Sequence, residues 1–272
     1  MASKFNPPLT LDEVDQYFDN LTITDVINPG GQGAVFKAKD NQKKLFLKIY
    51  YSHLTIRAER EVEKLKKLSN EYFIQLYDYG YVELREDECF YSLTEFIDGE
   101  SLRKIINKRA LNDEEMKELI VVMGKAIDQL WSFDIVHRDI KPENIMKTED
   151  DYKLIDLGIA KHRDLKTITQ SGAIVGTLPY MSPEQINGRK NLTLRSDLFA
   201  LGIVLYEVYT GKHPFIHNPY TIGKIDPAPI ESINPKADKK IVEVINKLLK
   251  PKAIERPVSG EEIINYLIGG EE

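Results

Sequence analysis

One run of eight residues, His137-Arg138-Asp139-Ile140-Lys141-Pro142-Glu143-Asn144, constrains this chain more than any other part of its sequence. It places a carboxylate, a cation and a carboxamide in one short loop, between an apolar helix-like segment and a strand-like run. Asp139 can orient a hydroxyl group, Lys141 can meet phosphate charge, and Asn144 can ligate a metal ion. Asp156-Leu157-Gly158 begins twelve residues after Asn144 and adds a second carboxylate. The spacing predicts a site with the parts that phosphoryl transfer needs.

Composition narrows the class of protein further. The chain has 272 residues, of which 42% are hydrophobic and 29% are charged, as in an ordinary globular protein. This length predicts one large domain or two joined lobes. The formal net charge of −6 argues against nucleic acid or an anionic membrane as the main partner.

Cysteine content and hydropathy indicate a compartment. Cys89 is the single cysteine, so an internal disulfide and a cysteine-based metal site are excluded. The most apolar run, Leu198 to Tyr206, is far shorter than the roughly 20 residues that a membrane helix needs. The N-terminus lacks the basic-then-apolar pattern of a signal peptide. We therefore expect a cytoplasmic location without a membrane span in this chain.

The N-terminal third of the chain is predicted to be rich in β-strands. Thr10-Leu11-Asp12-Glu13 has the pattern of a capping box, which predicts a short helix ending near Phe18. From Leu21 to Tyr51, strand-like runs alternate with turn residues, as in an antiparallel meander. Ala58 to Leu68 predicts a helix. Two further strand-like runs lie around Ile74–Tyr81 and Cys89–Phe96.

The remainder of the chain is predicted to be helical. Asn112 is expected to cap a helix whose apolar residues recur at helical spacing. Leu198 to Tyr209 is apolar nearly all round, which predicts a buried central helix ended by Gly211. The proline-rich stretch from Pro214 to Pro235 predicts an extended surface segment. We expect an α+β fold in three parts: an extension with a short helix (1–19), a small β-rich lobe with one main helix (20–96) and a larger helical lobe (97–272).

The motifs together resemble those of the protein kinases. H-R-D-x-K-x-x-N followed by D-L-G is similar to the catalytic and metal-binding loops of that family, with Leu157 in place of the usual Phe. The run from Asn28 to Val35 is similar to the glycine-rich loop, with Asn28 at the position of the first glycine. Ser182-Pro183-Glu184 corresponds to A-P-E. The resemblance spans about residues 20 to 268, is greatest to the bacterial eukaryotic-type Ser/Thr kinases, and implies the two-lobed kinase fold.

The resemblance also implies an ATP site. Lys48 would contact the α- and β-phosphates and Glu61 would pair with Lys48. The backbone of Glu95 and Ile97 would face the adenine edge. The full set of implied nucleotide-binding residues is Ile27, Asn28, Gly30, Gly31, Gln32, Gly33, Val35, Phe46, Lys48, Glu61, Thr94, Glu95, Ile97 and Met146. Taken alone, the glycine run also fits an ordinary hairpin turn, and Lys48 also fits a strand-end lysine that reaches solvent.

The catalytic residues implied by the resemblance are Asp139, Lys141 and Asn144, with Asn144 and Asp156 as ligands of Mg²⁺ (Mn²⁺ is possible). Asp197 would brace the backbone of the catalytic loop, and Glu184 would pair with Arg256. Lys141, Thr177 and Pro183-Glu184 favour Ser/Thr over Tyr as the phosphate acceptor. The implied activity is transfer of the ATP γ-phosphate to Ser/Thr hydroxyls of protein substrates, with autophosphorylation.

Two other functions compete with this interpretation. A pseudokinase would bind ATP or act as a scaffold without turnover, but such proteins typically lose Lys48, Asp139 or Asp156, all of which are present. A small-molecule kinase is disfavoured by Glu184, Arg256 and Thr177. A homodimer is compatible with the sequence, although nothing in the sequence supports one.

Two features suggest properties particular to this chain. Thr167, Thr169 and Ser171 precede Gly176, and a phosphate on one of them could pair with Arg138; alternatively, they are solvated loop hydroxyls. Phe46 stands where the family has a small residue above the adenine ring. It either stacks on the purine, with Thr94 opposite and Met146 below, or turns into the core of the lobe, or lies on a strand displaced outward.

Overall fold

A computed structural model describes residues 5, 7–30, 33–41, 43–68, 71–157 and 178–269. The chain divides into two compact units, an N-terminal unit, Met1–Asp98, and a C-terminal unit, Gly99–Glu272. The described part of the N-terminal unit is built on a five-stranded antiparallel sheet, and that of the C-terminal unit is mostly helical. The predicted α+β class, with a β-rich N-terminal part and a helical C-terminal part, is confirmed.

The sheet of the N-terminal unit has the strand order β1-β2-β3-β5-β4. Its strands are β1 Thr22–Gly30, β2 Gly33–Asp40, β3 Lys43–Tyr50, β4 Leu76–Leu84 and β5 Asp87–Glu95. The predicted meander is confirmed, but β4 begins and ends later than the predicted run around Ile74–Tyr81. Leu84 is buried and so extends the strand into the core, and the β4–β5 turn is made by Arg85 and Glu86, both at positive φ.

One face of this sheet is covered by the N-terminal segment. Its core includes Phe36, Leu47 and Ile49, and Val14 of α1 (Leu11–Asp15) packs into the same cluster. The predicted capping box between Thr10 and Glu13 is present. However, α1 ends at Asp15 and not near Phe18, because the Asp15 carboxylate accepts a hydrogen bond from the backbone N–H of Ile23 (2.8 Å) and the chain turns into β1.

The opposite face of the sheet carries helix α2, Thr55–Leu65. Ala58 and Val62 of α2 are buried against Tyr50 and Phe90 of the sheet. The helix begins and ends three residues earlier than the predicted Ala58–Leu68. It continues directly from a 3-10 turn at Ser52–Leu54. Because no side chain among the described residues caps this start, the sequence pattern did not indicate where the helix begins.

The C-terminal unit is organised around a buried helix. The helices of its described part are α3 Leu102–Ile106, α4 Asp113–Ser132, α5 Pro183–Ile186, α6 Leu194–Thr210, α7 Lys239–Leu248 and α8 Gly260–Ile268. Every residue of α6 from Ser196 to Tyr209 is buried, and Gly211 ends the helix at φ 70°, as predicted. The predicted capping of α4 by Asn112 is also confirmed, and Ser259 caps α8.

Three short strands form a second sheet in the C-terminal unit, β6 Glu100–Ser101, β7 Ile145–Lys147 and β8 Tyr152–Leu154, in that spatial order. The stretch from Pro214 to Pro235 is only partly the extended surface segment that its prolines predict. It contains 3-10 turns, Pro219–Thr221 and Ile230–Ser232, and buries apolar side chains, among them Phe215 and Ile230, in the core. None of the helices described in the structure has the length and apolarity to cross a membrane.

Candidate active site

The loop that starts at His137 is anchored by a buried carboxylate. Asp197 lies in the first turn of α6, and its two oxygens accept hydrogen bonds from the backbone N–H groups of His137 (2.7 Å) and Arg138 (2.8 Å). Burial raises the pKa of Asp197 to about 7, and the two backbone donors act in the opposite direction. Arg138 has φ 70°, a conformation that is uncommon for a residue with a side chain. Asp197 therefore holds a strained backbone turn in place, in the role predicted for it.

The three predicted catalytic side chains meet at Asp139. The Asn144 amide nitrogen donates hydrogen bonds to the backbone oxygen of Asp139 (2.9 Å) and to its Oδ2 (3.1 Å). Lys141 Nζ lies 3.2 Å from the same carboxylate oxygen. Asp139 is only 2% exposed. A buried carboxylate fixed by an amide and a cation is oriented before any substrate arrives, which is what a group that positions a hydroxyl requires.

The β7–β8 hairpin places Asp156 at the same end as Asn144. Ile145 of β7 pairs with Leu154 of β8, and the N–H of Ile155 donates to the backbone oxygen of Asn144 (2.9 Å). The amide nitrogen of Asn144 is engaged with Asp139, so its carbonyl oxygen is the atom left to serve as a metal ligand. That oxygen and the Asp156 carboxylate are hard donors, which suit Mg²⁺. Within the described ranges, no group of three or more His, Cys, Asp or Glu side chains is placed to hold a metal ion.

A buried ion pair fixes the segment that follows the loop. Arg256 donates from Nη1 and Nη2 to the two oxygens of Glu184 at 2.7 and 3.0 Å, and the Ser196 hydroxyl donates to the same carboxylate (2.8 Å). Burial raises the pKa of Glu184, but the guanidinium and the hydrogen bonds to the carboxylate together hold that pKa below its ordinary value. The predicted pairing of Glu184 with Arg256 is therefore present in the structure.

Sequence reasoning missed Arg103, which joins three parts of the C-terminal unit. From α3 it donates to Glu143 of the catalytic loop (2.7 Å) and to Glu207 of α6 (2.8 Å), and both Arg103 and Glu207 contact the Tyr180 hydroxyl. Glu207 is the sole charged residue between Leu198 and Thr210, so the sequence indicated that a buried carboxylate there would need a cationic partner. Nothing in the sequence identified Arg103 as that cation.

In the N-terminal unit, the predicted nucleotide-binding residues of the strands lie side by side. Lys48 is paired with Val35 of β2, which is itself paired with Ile27 of β1. Phe46, two residues earlier on β3, is paired with Thr94 of β5. Directly paired residues share one face of a sheet, so these side chains form two adjacent cross-strand rows, one through Lys48 and one through Phe46. Both rows lie on the face opposite the cluster that contains Leu47.

Phe46 does not turn into the core of the N-terminal unit. Its neighbours Leu45 and Leu47 are buried in the core cluster, whereas Phe46 is half-buried and lies on the other face of β3 with Lys48. The ammonium of Lys48 lies 4.5 Å from the centre of the Tyr50 ring. The structure thus rules out one of the alternatives for Phe46 and places it beside the predicted phosphate-binding lysine.

The remaining predicted residues are distributed over several elements. Gly30 and Gly33 pair across the β1–β2 turn, and a Cβ on Gly33 would lie 2.1 Å from the backbone oxygen of Ile49. Gly31 and Gln32 lie outside the described residues, as do Thr167, Thr169, Ser171, Gly176 and Thr177; of Asn28 only the backbone is described. Glu61 lies on α2; Glu95 ends β5 and Ile97 follows it, whereas Met146 belongs to β7 of the C-terminal unit.

Comparison with known proteins identifies the family. The model of the protein kinase domain matches residues 21–266. A probable serine/threonine-protein kinase of Clostridium perfringens is 30% identical over 256 residues, which are 89% of this chain and 37% of the relative. The serine/threonine-protein kinase PknD of Mycobacterium tuberculosis is 30% identical over 267 residues, which are 92% of this chain and 40% of the relative. The chain belongs to the protein kinase family, as a Hanks-type serine/threonine kinase domain.

Solved structures support the same fold. The kinase domain of M. tuberculosis PknI is similar with a TM-score of 0.70 and 17% sequence identity, over 91% of this chain and 94% of that domain. The chain spans about two fifths of the length of the curated relatives described above. The family and the fold are thus established for residues 21–266.

Proposed function

We propose that this domain binds ATP with Mg²⁺ and transfers the γ-phosphate to serine or threonine hydroxyls of protein substrates, and also to its own chain. The observation that carries the proposal is the buried Asp139 carboxylate, held by Asn144 and Lys141 on a loop that Asp197 anchors. Structural residues alone do not need a carboxylate, an amide and an ammonium gathered at one buried point.

Each residue of the catalytic loop has a separate role in this proposal. Asp139 orients the acceptor hydroxyl and receives its proton, a contribution typically worth about 10²–10⁴-fold in rate. Lys141, whose ammonium already lies beside Asp139, contacts the transferred phosphate. Asn144 and Asp156 would hold Mg²⁺ or Mn²⁺, which neutralises phosphate charge when bound.

The N-terminal unit supplies the nucleotide contacts in this proposal. Lys48 holds the α- and β-phosphates and is itself held by Glu61. Backbone N–H groups of the glycine-rich turn, residues 28–33, approach phosphate oxygens where no Cβ intervenes. Phe46 and Thr94 cover the adenine ring, and the backbone of Glu95 and Ile97 meets its polar edge. Two adjacent cross-strand rows on one face of the sheet support this assignment, with Ile27, Val35 and Lys48 in one row and Phe46 and Thr94 in the next.

A phosphate on Thr167, Thr169 or Ser171 is proposed to switch the domain through Arg138. The Arg138 Nε is buried and has no hydrogen-bond partner among the described residues, so a phosphate carrying about −1.5 to −2 charges would supply one. Mass spectrometry of protein expressed with ATP should find phosphate on this segment. Unchanged activity after phosphatase treatment would contradict the switch.

A pseudokinase is the alternative, and one variant separates the two functions. Wild-type protein should incorporate ³²P from labelled ATP into itself or into a generic protein substrate, and Asp139→Asn should abolish that transfer. Asp150→Asn makes the same chemical change at an exposed carboxylate of the β7–β8 turn and should leave transfer intact. Binding of ATP without transfer in the wild type would favour the pseudokinase. We propose a reducing cytoplasm as the location of this activity.

A further inference from the structure

We propose that Tyr79 and Tyr81 of β4 are positioning residues that hold α2, and therefore Glu61, in place against the sheet. The inference rests on the proposed function, because it assumes that Glu61 acts by holding Lys48 on the phosphates. We call Tyr79 and Tyr81 the β4 tethers. Neither residue belongs to a kinase motif.

Helix α2 is weakly attached by its apolar residues. Of its eleven residues, all of them described, only Ala58 and Val62 are buried. Its first turn has no acidic residue, and no side-chain hydrogen bond caps it within the described part of the chain. Two small buried side chains remove little apolar surface from water, so the position of the helix depends on additional contacts.

The β4 tethers supply such contacts on both sides of Glu61. The Tyr81 hydroxyl donates a hydrogen bond to Glu59, two residues before Glu61. Lys66 is the residue that directly follows α2, and its backbone N–H caps the helix end. Its ammonium donates to the Tyr79 hydroxyl (2.8 Å) and lies 4.9 Å from the centre of the Tyr79 ring. Two contacts that bracket one residue resist sliding and rotation of the helix better than one contact does.

The tethers share an aromatic cluster with the lysine that Glu61 is proposed to hold. The Phe90 ring lies 5.4 Å from Tyr81, 6.4 Å from Tyr79 and 5.9 Å from Tyr50, measured between ring centres. Lys48 rests on Tyr50 at 4.5 Å. The buried Tyr50 hydroxyl also contacts the Ser92 hydroxyl (3.3 Å), which fixes the Tyr50 ring. Helix α2 and Lys48 are therefore positioned from one group of rings on β3, β4 and β5.

The same strand provides a matched control. Tyr77 is a third exposed tyrosine of β4, but its ring contacts the ammonium of Lys43 on β3 (5.0 Å). Tyr77→Phe therefore makes the same chemical change as Tyr79→Phe and Tyr81→Phe without touching an α2 contact. All three substitutions remove one partly exposed hydroxyl and keep the ring, so the variants should fold.

The test compares steady-state kinetics of the double variant Tyr79→Phe/Tyr81→Phe with those of Tyr77→Phe. We expect the double variant to lower kcat by about 3- to 10-fold, the range expected for the loss of one or two modest hydrogen bonds, with little change in KM for ATP. Tyr77→Phe should match the wild type. In a Glu61→Gln background the same double substitution should cost almost nothing, because the tethers act through Glu61.

Hydrogen exchange of the α2 backbone amides gives a second readout that does not depend on turnover. Exchange over Thr55–Leu65 should be faster in the double variant and unchanged in Tyr77→Phe. Wild-type kinetics in the double variant, or an undiminished cost in the Glu61→Gln background, would overturn the inference. If the wild type transfers no phosphate, the proposed function fails; unchanged exchange in the double variant would then show separately that the tethers do not hold α2.

Discussion

Helices α2 and α6 present two ways of placing a functional carboxylate. Asp197 lies on a helix that is buried from Ser196 to Tyr209, so its position is decided when the C-terminal unit folds. Glu61 lies on a helix that buries two residues and otherwise depends on exposed polar contacts. The comparison suggests that the catalytic loop is a rigid part of the molecule, whereas the position of Glu61 can be adjusted at modest cost.

The physical reason is the difference in environment. A hydrogen bond or ion pair that is buried cannot be exchanged for water, so its loss leaves an unsatisfied group. Exposed contacts such as that between Lys66 and Tyr79 are exchanged for water readily and are worth little individually. Glu184, Arg256 and Asp197 belong to the first kind. A helix held by the second kind is suited to regulation, because small changes in free energy move it.

The largest effect is expected when each of these two carboxylates is replaced by alanine in a separate variant. Asp197→Ala leaves the backbone N–H groups of His137 and Arg138 without their acceptors, so it should lower the free energy of unfolding by about 2–5 kcal/mol and abolish most activity. Glu61→Ala should change stability by about 0.5 kcal/mol or less but reduce kcat by about 10²-fold. Urea denaturation and kinase assays measure both quantities. Equal destabilisation by the two variants would contradict the comparison.

An effect of similar size on stability is expected when the buried ion pair beside α6 is broken. Arg256→Met should destabilise the domain by about 3–5 kcal/mol at pH 7, because Glu184 is left buried and charged. In the wild type, Arg256 keeps the pKa of Glu184 low, so the stabilisation is present above the ordinary pKa of a glutamate and is lost as the pH falls below it.

The variant should behave in the opposite way with pH. Without Arg256, burial outweighs the remaining hydrogen bond from Ser196 and raises the pKa of Glu184, so protonation relieves the buried charge as the pH falls. The stability difference between wild type and Arg256→Met should therefore shrink from pH 7 to pH 5, as measured by thermal unfolding. Arg189→Met changes an exposed arginine just after α5 and serves as the control. A difference that stayed constant with pH would argue against Glu184 as its source.

A region is easier to predict from the sequence when the residues that contact each other lie close together along the chain. The catalytic loop was predictable because Asp139, Lys141 and Asn144 are almost contiguous, and because their side-chain types indicate phosphoryl transfer. The capping of α4 was predictable for the same reason, since a cap is a local contact. Arg103 was not, because Glu143 and Glu207 lie 40 and 104 residues away.

The limits of helix α2 were misplaced for a related reason. Its start carries no local capping signal, and the Lys66 side chain just after its end binds Tyr79, which lies 13 residues away on a different element. The two faces of β3 were only half predictable: alternation of Leu45, Phe46 and Leu47 requires that Phe46 oppose the others, but which face is the core depends on packing by the N-terminal segment. The limits of α2 and the core face of β3 therefore depend on long-range packing, which a local sequence pattern does not contain.

The smallest effect is expected at Phe46, on the face of the sheet that also carries α2. If Phe46 stacks on the purine, Phe46→Ala removes an aromatic contact and leaves a gap, so ATP affinity should fall by about 1 kcal/mol, or about fivefold. Bulky adenine-site inhibitors should bind this variant better than the wild type. Titration calorimetry with a non-hydrolysable ATP analogue measures the change, with Phe133→Ala, an exposed phenylalanine of the C-terminal unit, as the control. Since Phe46 is half-buried and opposite the core, its loss should cost little stability, in contrast to the residues around α6. Unchanged affinity in a folded Phe46→Ala variant would place this ring outside the nucleotide site.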